Sequence, residues 1–164
     1  MIPRLAVAVL VALVLSACAV NRYVVSPYDK LTLKAASDVN PGPQGRAAPI
    51  TVKVYELSSR NTFDNLDFNA AFSNASVFLS DELLSAGEWV ILPGASVGHR
   101  IQLKKNAKYI AVVAAYRDID KAKWKLVYPV NSDWYYSHTI TLTGDSVVLG
   151  DVESTETANT DAQE

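Results

Sequence analysis

Hydrophobic side chains fall into three textures along this chain, and each predicts a different kind of segment. The first is continuous: residues 5–15, "LAVAVLVALVL", hold nothing polar and follow directly on Arg4. At about half of the ~20 apolar residues that a hydrocarbon span needs, this run has the length of a signal-peptide core, not of a membrane helix. The second texture alternates. In "LTLKA", Leu31, Leu33 and Ala35 stand against Thr32 and Lys34, and in "ITVKVYEL", Ile50, Val52 and Val54 share one face. Both predict half-buried strands. "EWVIL" (88–92), "HRIQL" (99–103), "YIAVVAAYR" (109–117), "WKLVYPV" (124–130), "SHTITL" (137–142) and "SVVLG" (146–150) extend the series to about eight strands. Pro93 and Gly94 form a turn pair, and Thr143, Gly144 and Asp145 join the last two strands as a hairpin signal. The third texture is helical. Between 63 and 86, Phe63, Leu66 and Ala70, then Leu79, Leu83 and Ala86, recur at spacings of three and four, which predicts two short helical turns packed on the side of a sheet. Many short strands with little helix between them argue for a mainly β fold, an antiparallel β-sandwich with one or two short helices.

The apolar run ends in "LSAC", two small residues ahead of the only cysteine, Cys18. This resembles the bacterial lipobox, in which signal peptidase cuts before a cysteine whose thiol already carries diacylglycerol. The expected cleavage lies between Ala17 and Cys18, leaving Cys18 as the first residue with acyl chains on its sulfur and amine. Because burial stabilises by about 0.8 kcal/mol per CH₂, one chain holds a protein reversibly and two or more hold it durably. Ala19 follows where an aspartate would retain the protein at the inner membrane. The expected location is therefore the outer membrane, inner leaflet, with the domain facing the periplasm. The chain then divides into a signal peptide (1–17), a lipidated N-terminus and tether (18–29), a sandwich domain (30–150) and a tail (151–164) whose acidic, apolar-poor composition predicts disorder.

Charge and chemistry narrow the function by exclusion. A formal net charge of −2 offers no basic face for nucleic acid. With Cys18 acylated no disulfide is possible, so packing alone stabilises the domain. His99 and His138 stand far apart, without a cysteine partner or a second ligand at helical spacing, and no metal or other cofactor is expected beyond the covalent lipid. No G-x-S-x-G elbow, cysteine nucleophile or paired carboxylate stands out, so the chain reads as non-enzymatic.

The stretch "SDVNPGPQGRAAP" (37–49) is too long for a tight hairpin, and Pro41, Pro43 and Pro49 restrict it. On residues alone it fits either a solvated connector or a partner contact, since prolines reduce the entropy a loop loses on docking. Asn40 is placed to cap a turn through backbone amides. Arg46 is the loop's one charge-assisted donor fork, directed at a partner or back into its own domain. Trp134, Tyr135 and Tyr136 are consecutive and cannot all face inward. Core or edge packing is expected of them ahead of an interface or a dip into lipid headgroups.

The lipobox, "LKAASDVNPGPQGRAAPITVKVYEL" (33–57), Phe63, Asp67 and Phe68, "DEL" (81–83), "LPG" (92–94) and "VVAAYRDIDKAKWKLVYPV" (112–130) together resemble the TssJ (SciN/VasD) family of type VI secretion lipoproteins. The order N-P, G-R-x-x-P, V-x-V-Y-x-L and A-x-R-D…W carries the likeness, across roughly residues 13–130. The resemblance implies a transthyretin-like sandwich and a structural role anchoring the secretion membrane complex. It implies a partner, the periplasmic C-terminal domain of TssM, within a complex with TssL. Partner contact falls on the first inter-strand loop: Asn40, Pro41, Gly42, Pro43, Gln44, Gly45 and Arg46. The alternatives are a pilotin or assembly lipoprotein of another envelope machine, and a transthyretin-like hydrolase.

Overall fold

The computed structural model describes residues 26–150. The signal segment, the cleavage pair Ala17 and Cys18, most of the tether and the acidic tail lie outside the described residues. Eight strands form two four-stranded sheets. One has the order β4-β1-β7-β8, from β1 (Tyr28–Ala35), β4 (Ser96–Gln102), β7 (Tyr136–Leu142) and β8 (Val147–Leu149). The other has the order β3-β2-β5-β6, from β2 (Ile50–Leu57), β3 (Leu83–Ile91), β5 (Tyr109–Ala114) and β6 (Lys125–Pro129). The antiparallel sandwich expected from the alternating segments is the observed architecture. One pairing departs from it: β1 and β7 run parallel, Asp29 opposite Tyr136 through Ala35 opposite Leu142.

The alternation places the core. Leu31, Leu33 and Ala35 of β1 meet Ile50, Val52 and Val54 of β2 between the sheets, with Ile110, Val112, Ile140 and Leu142 closing the same cluster. A second core lies on the outer face of the β2–β5 sheet. There α1 (Asn61–Asp64), α2 (Phe68–Ser73) and α3 (Ala75–Leu79) cover Tyr55, Leu57, Ala111 and Val113 with Phe63, Ala71 and Leu79. This accounts for the near-continuous apolar texture of β5: a strand covered on both faces has no polar side.

The helical segment holds three short helices and a 3-10 turn (Ser80–Glu82) where the spacing predicts one or two helices. Asp67 caps α2 by accepting from the Ala70 amide at 2.8 Å. Leu83 and Ala86, helical by their spacing, belong instead to β3. Their backbone pairs with β2, Leu57 opposite Leu83 and Tyr55 opposite Ala86, around an irregularity between Glu56 and Leu57. Apolar spacings of three and four over so short a stretch fit both a helix and an irregular strand, and the free hydrogen-bonding edge of β2 decides for the strand.

Three buried tyrosines link the fold to pH. Burial, reinforced by the charge of Glu88, pushes the Tyr55 phenol up to about 12. Burial also raises Tyr116 and Tyr128, with added contributions from Asp145 and Asp38 and from Asp29 respectively. An unfolded phenol ionises near pH 10. Above that pH the unfolded chain sheds protons that the fold keeps, so stability present below about pH 10 is lost as pH rises through about 12. Chemical denaturation across this range should show a falling midpoint, and Tyr55→Phe a shallower fall. The same substitution removes the Tyr55 hydroxyl bond to the Ala71 carbonyl (2.8 Å), costing about 1 kcal/mol at neutral pH. A midpoint unchanged up to pH 12 would contradict the assignment.

Candidate functional site

Strand direction gathers three connections at one end of the sandwich. β1 ends at Ala35 and β2 begins at Ile50, so residues 36–49 bridge the sheets there. β5 ends at Ala114 and β7 at Leu142, which brings residues 115–124 and the 143–146 turn to the same pole. Across the loops, the Asn40 amide donates to the Gly144 carbonyl (3.2 Å), and the Ala36 amide to the Leu142 carbonyl (2.9 Å).

Asn40 is the pin. It is 4% exposed and sits at φ 52°, a left-handed conformation that asparagine tolerates better than most residues. Its Oδ1 accepts from the Arg117 backbone amide at 2.8 Å, and its Nδ2 donates to the Pro49 carbonyl at 2.8 Å. One side chain thus closes its own loop and joins it to the loop after β5. Sequence alone suggests that Asn40 caps a local turn; the amide it binds lies 77 residues away.

Above this stem the tip stands out. Val39, Asn40 and Ala48 are buried, whereas Pro41, Pro43, Gln44, Gly45 and Arg46 are exposed. The Gly42 amide donates to the Arg46 carbonyl (2.9 Å) and the Gly45 amide to the Gly42 carbonyl (2.8 Å), making a closed turn. Gly45 has φ 72°, which glycine adopts without strain. Gly42 is half-buried, and an added Cβ would stand 2.7 Å from Nη1 of Arg117, so the guanidinium lies against the loop backbone.

Between the tip and the neighbouring loops runs a cleft of about 550 Å³. Pro41 and Pro43 form one wall, Tyr116 and Arg117 another, and Lys121 and Asp145 the rim. Lys121 pairs with Asp118 at 2.9 Å, and the Tyr116 hydroxyl donates to the Thr143 carbonyl at 3.3 Å. The raised Tyr116 phenol stays neutral, held so by burial first and then by Asp145 and Asp38. Mixed charges over an apolar wall suit recognition of a polypeptide. Among the described residues no group of three His, Cys, Asp or Glu side chains is placed to hold a metal.

All the loop residues singled out from sequence therefore lie at one pole, Asn40 inside it and 41–46 on its surface. Sequence reasoning misses Tyr116, Arg117 and the 143–145 turn as neighbours of that loop. Their signals are local, an A-Y-R-D segment that periodicity reads as the end of a strand and a 143–145 hairpin turn, and neither points to the 37–49 loop. The aromatic triplet divides: Tyr136 is half-buried and stacks on His138 (5.4 Å between ring centroids), Tyr135 is exposed yet packs edge-on against Tyr28, and Trp134 is exposed, against the expectation of packing.

Residues 27–145 match the model of a family described as type VI secretion lipoprotein, VasD, EvfM, TssJ. The match runs past residue 130, where the likeness carried by the sequence motifs stops. Among solved structures, the type VI lipoprotein TssJ1 from Pseudomonas aeruginosa is similar at 28% identity and TM-score 0.74, over 79% of this chain and 99% of that one. Lip from Serratia marcescens, described as a membrane-bound component of the type VI secretion system, is similar at 22% identity and TM-score 0.68, over 79% and 100%. A chain described as the TssM C-terminal domain from EAEC is similar at 22% identity and TM-score 0.63, over 76% and 98%. The last two likenesses carry the fold alone. No curated protein matches the chain.

Proposed function

The chain belongs to the type VI secretion lipoprotein family, and from this premise we propose that it works as a component of that system's membrane complex. Acyl chains on Cys18 hold the inner leaflet of the outer membrane, and the 37–49 loop grips the periplasmic C-terminal domain of TssM, itself in complex with TssL. The role is mechanical, not catalytic.

The observation that carries this reading is the position of β1. It begins at Tyr28, within the last two residues of the segment read as tether (18–29), and its last residue, Ala35, leads into the pinned loop. The strand spans about 26 Å at ~3.3 Å per residue, so the two grips sit at opposite poles. β1 is also an inner strand, bonded to β4 on one side and β7 on the other. A pull from tether to loop runs along the strand, across hydrogen bonds that lie perpendicular to it toward antiparallel β4 and slanted toward parallel β7. The ladder bonds are then loaded together in shear instead of opening one by one. Rigidity at the loop serves the same end, because a tip already closed by its own hydrogen bonds loses little entropy on docking.

The test is a binding titration of residues 19–164 against the TssM periplasmic C-terminal domain from the same organism. Arg46→Ala combined with shortening of 41–45 should weaken binding by about tenfold or more and leave the melting temperature within a few degrees. Unchanged affinity would move the interface away from this loop.

A further inference from the structure

The pole opposite the loop carries aromatic and cationic side chains that the complex-forming role does not use. Trp134 is 65% exposed and Tyr135 53%. Tyr135 meets Tyr28, the first residue of β1, edge-on at 5.2 Å between ring centroids. The Arg100 guanidinium lies over the other part of this cluster, 4.3 Å from the Tyr28 ring centroid. The aromatic segment is not a loose flap. The Trp134 amide donates to the Asn131 carbonyl (3.1 Å), the Asn131 amide to the Tyr136 hydroxyl (3.0 Å), and the Ser132 hydroxyl to the Lys105 carbonyl (2.8 Å).

That last bond joins the aromatics to the turn between β4 and β5, where Lys104, Lys105 and Lys108 are all exposed, the Lys104 ammonium donating to the Leu84 carbonyl. The turn is fixed in its own right. Buried Glu56 accepts from the Lys104 amide at 2.5 Å and from the Ser85 hydroxyl at 2.7 Å, and the Leu103 amide donates to the Pro27 carbonyl (2.9 Å), beside the point where the tether joins the domain. Within this face Asp133 is the opposing acid; Asp29 is buried beneath it. Asp81 and Glu82 lie at the adjoining corner, where their carbonyls meet Ser58.

We propose that this pole is a membrane-contacting face for anionic phospholipid, with Trp134 and Tyr135 at headgroup depth and Lys104, Lys105, Lys108 and Arg100 over the lipid phosphates. Tyrosine and tryptophan favour the boundary between water and hydrocarbon, where the ring body is apolar and the polar edge wet. Lysines near an anionic surface add an attraction that fades within a Debye length. Seven residues, 19–25, separate Cys18 from Ser26, and even fully extended they reach only about 25 Å. The face is therefore confined near the bilayer wherever the anchor inserts. This deepens the anchoring role proposed above and rests on it for direction: acyl chains alone leave the domain free to swivel, whereas a second contact at the same pole aims the 37–49 loop away from the membrane.

The experiment uses residues 19–164, which lack the anchor, so it is independent of acylation at Cys18. Both cores close on residues within 26–150, and the Pseudomonas relative is a solved chain covered over 99% of its length by 79% of this one, so the part tested folds alone. The probes are vesicles of phosphatidylethanolamine with phosphatidylglycerol, and the same with phosphatidylcholine instead. Salt-sensitive co-sedimentation with the first, with Trp emission quenched by brominated acyl chains, is the expected result. Trp134→Ala with Tyr135→Ala, and separately Lys105→Glu with Lys108→Glu, should each lower partitioning by on the order of tenfold, with melting unchanged. No binding to anionic vesicles, or binding that both double variants retain, would overturn the proposal. So would loss of TssM binding in the aromatic variant without any vesicle binding by the parent, which would make this face a protein interface. The anchor itself is read separately, from the mass of the N-terminal peptide of the mature chain.

Discussion

Replacing Asn40 with alanine is expected to destabilise the domain by about 2–4 kcal/mol and to undo the loop pole as a binding surface. The orientation of the Asn40 amide is dictated by its partners: the Arg117 N–H can only donate and the Pro49 carbonyl can only accept. Removing both ends of the side chain leaves two backbone groups in a buried site without partners, at about 1–3 kcal/mol each. Alanine also meets the left-handed backbone at φ 52° with a penalty of about 1 kcal/mol that glycine does not incur. Asn40→Gly should therefore be milder than Asn40→Ala by about that amount. Asn40→Asp keeps an acceptor for the Arg117 amide and turns a second one toward the Pro49 carbonyl, so it should fall with the damaging variants. Urea denaturation gives the order directly. TssM affinity should fall further than the folded fraction does, because the 41–46 tip and the Arg117 loop lose their shared pin. An Asn40→Ala protein that unfolds like its parent would sink the account.

Exchanging Cys18 for serine is expected to have the largest effect in the cell while leaving the fold untouched. The position lies outside the described residues, and both cores close on residues within 26–150. Because cleavage at a lipobox requires the modified thiol, the variant is best carried behind a signal that is cleaved without lipid. On the proposed anchoring, losing the acyl chains removes about 0.8 kcal/mol for every CH₂ buried in the bilayer. It should move from the membrane fraction to the periplasmic fraction, and type VI secretion should cease. What membrane association remains should come from the Trp134 and lysine face and be released by salt. Secretion at the parental level by a protein that is soluble at high salt would rule out the anchoring role.

Much of the framework is legible in the order of residues. The bounds of β2 coincide with its alternating segment, and the burial of Leu31, Leu33 and Ala35 follows from the alternation of β1. That pattern is local: side chains on a strand point to opposite faces in turn, so one buried face writes itself into the sequence. The 37–49 loop is equally visible, because prolines and glycines mark a chain that must leave a sheet.

The remainder depends on neighbours that no local window contains. Leu83 and Ala86 carry a spacing compatible with a helix, and the open edge of β2 draws them into a strand. The apolar run of β5 announces burial without saying that helices cover one of its faces. Nothing near residue 117 marks its amide as the donor to Asn40, and nothing near residue 134 places Tyr135 beside Tyr28 or ties Ser132 to the β4–β5 turn. By itself the sequence determined that its alternating segments are strands, where the chain turns around its prolines and glycines, and the lipobox-like cysteine that leads the domain. Only the tertiary structure decided which strands pair, which loops share a pole, and which exposed side chains stand together, because those outcomes are set by contacts between residues far apart in the chain, to which periodicity is blind.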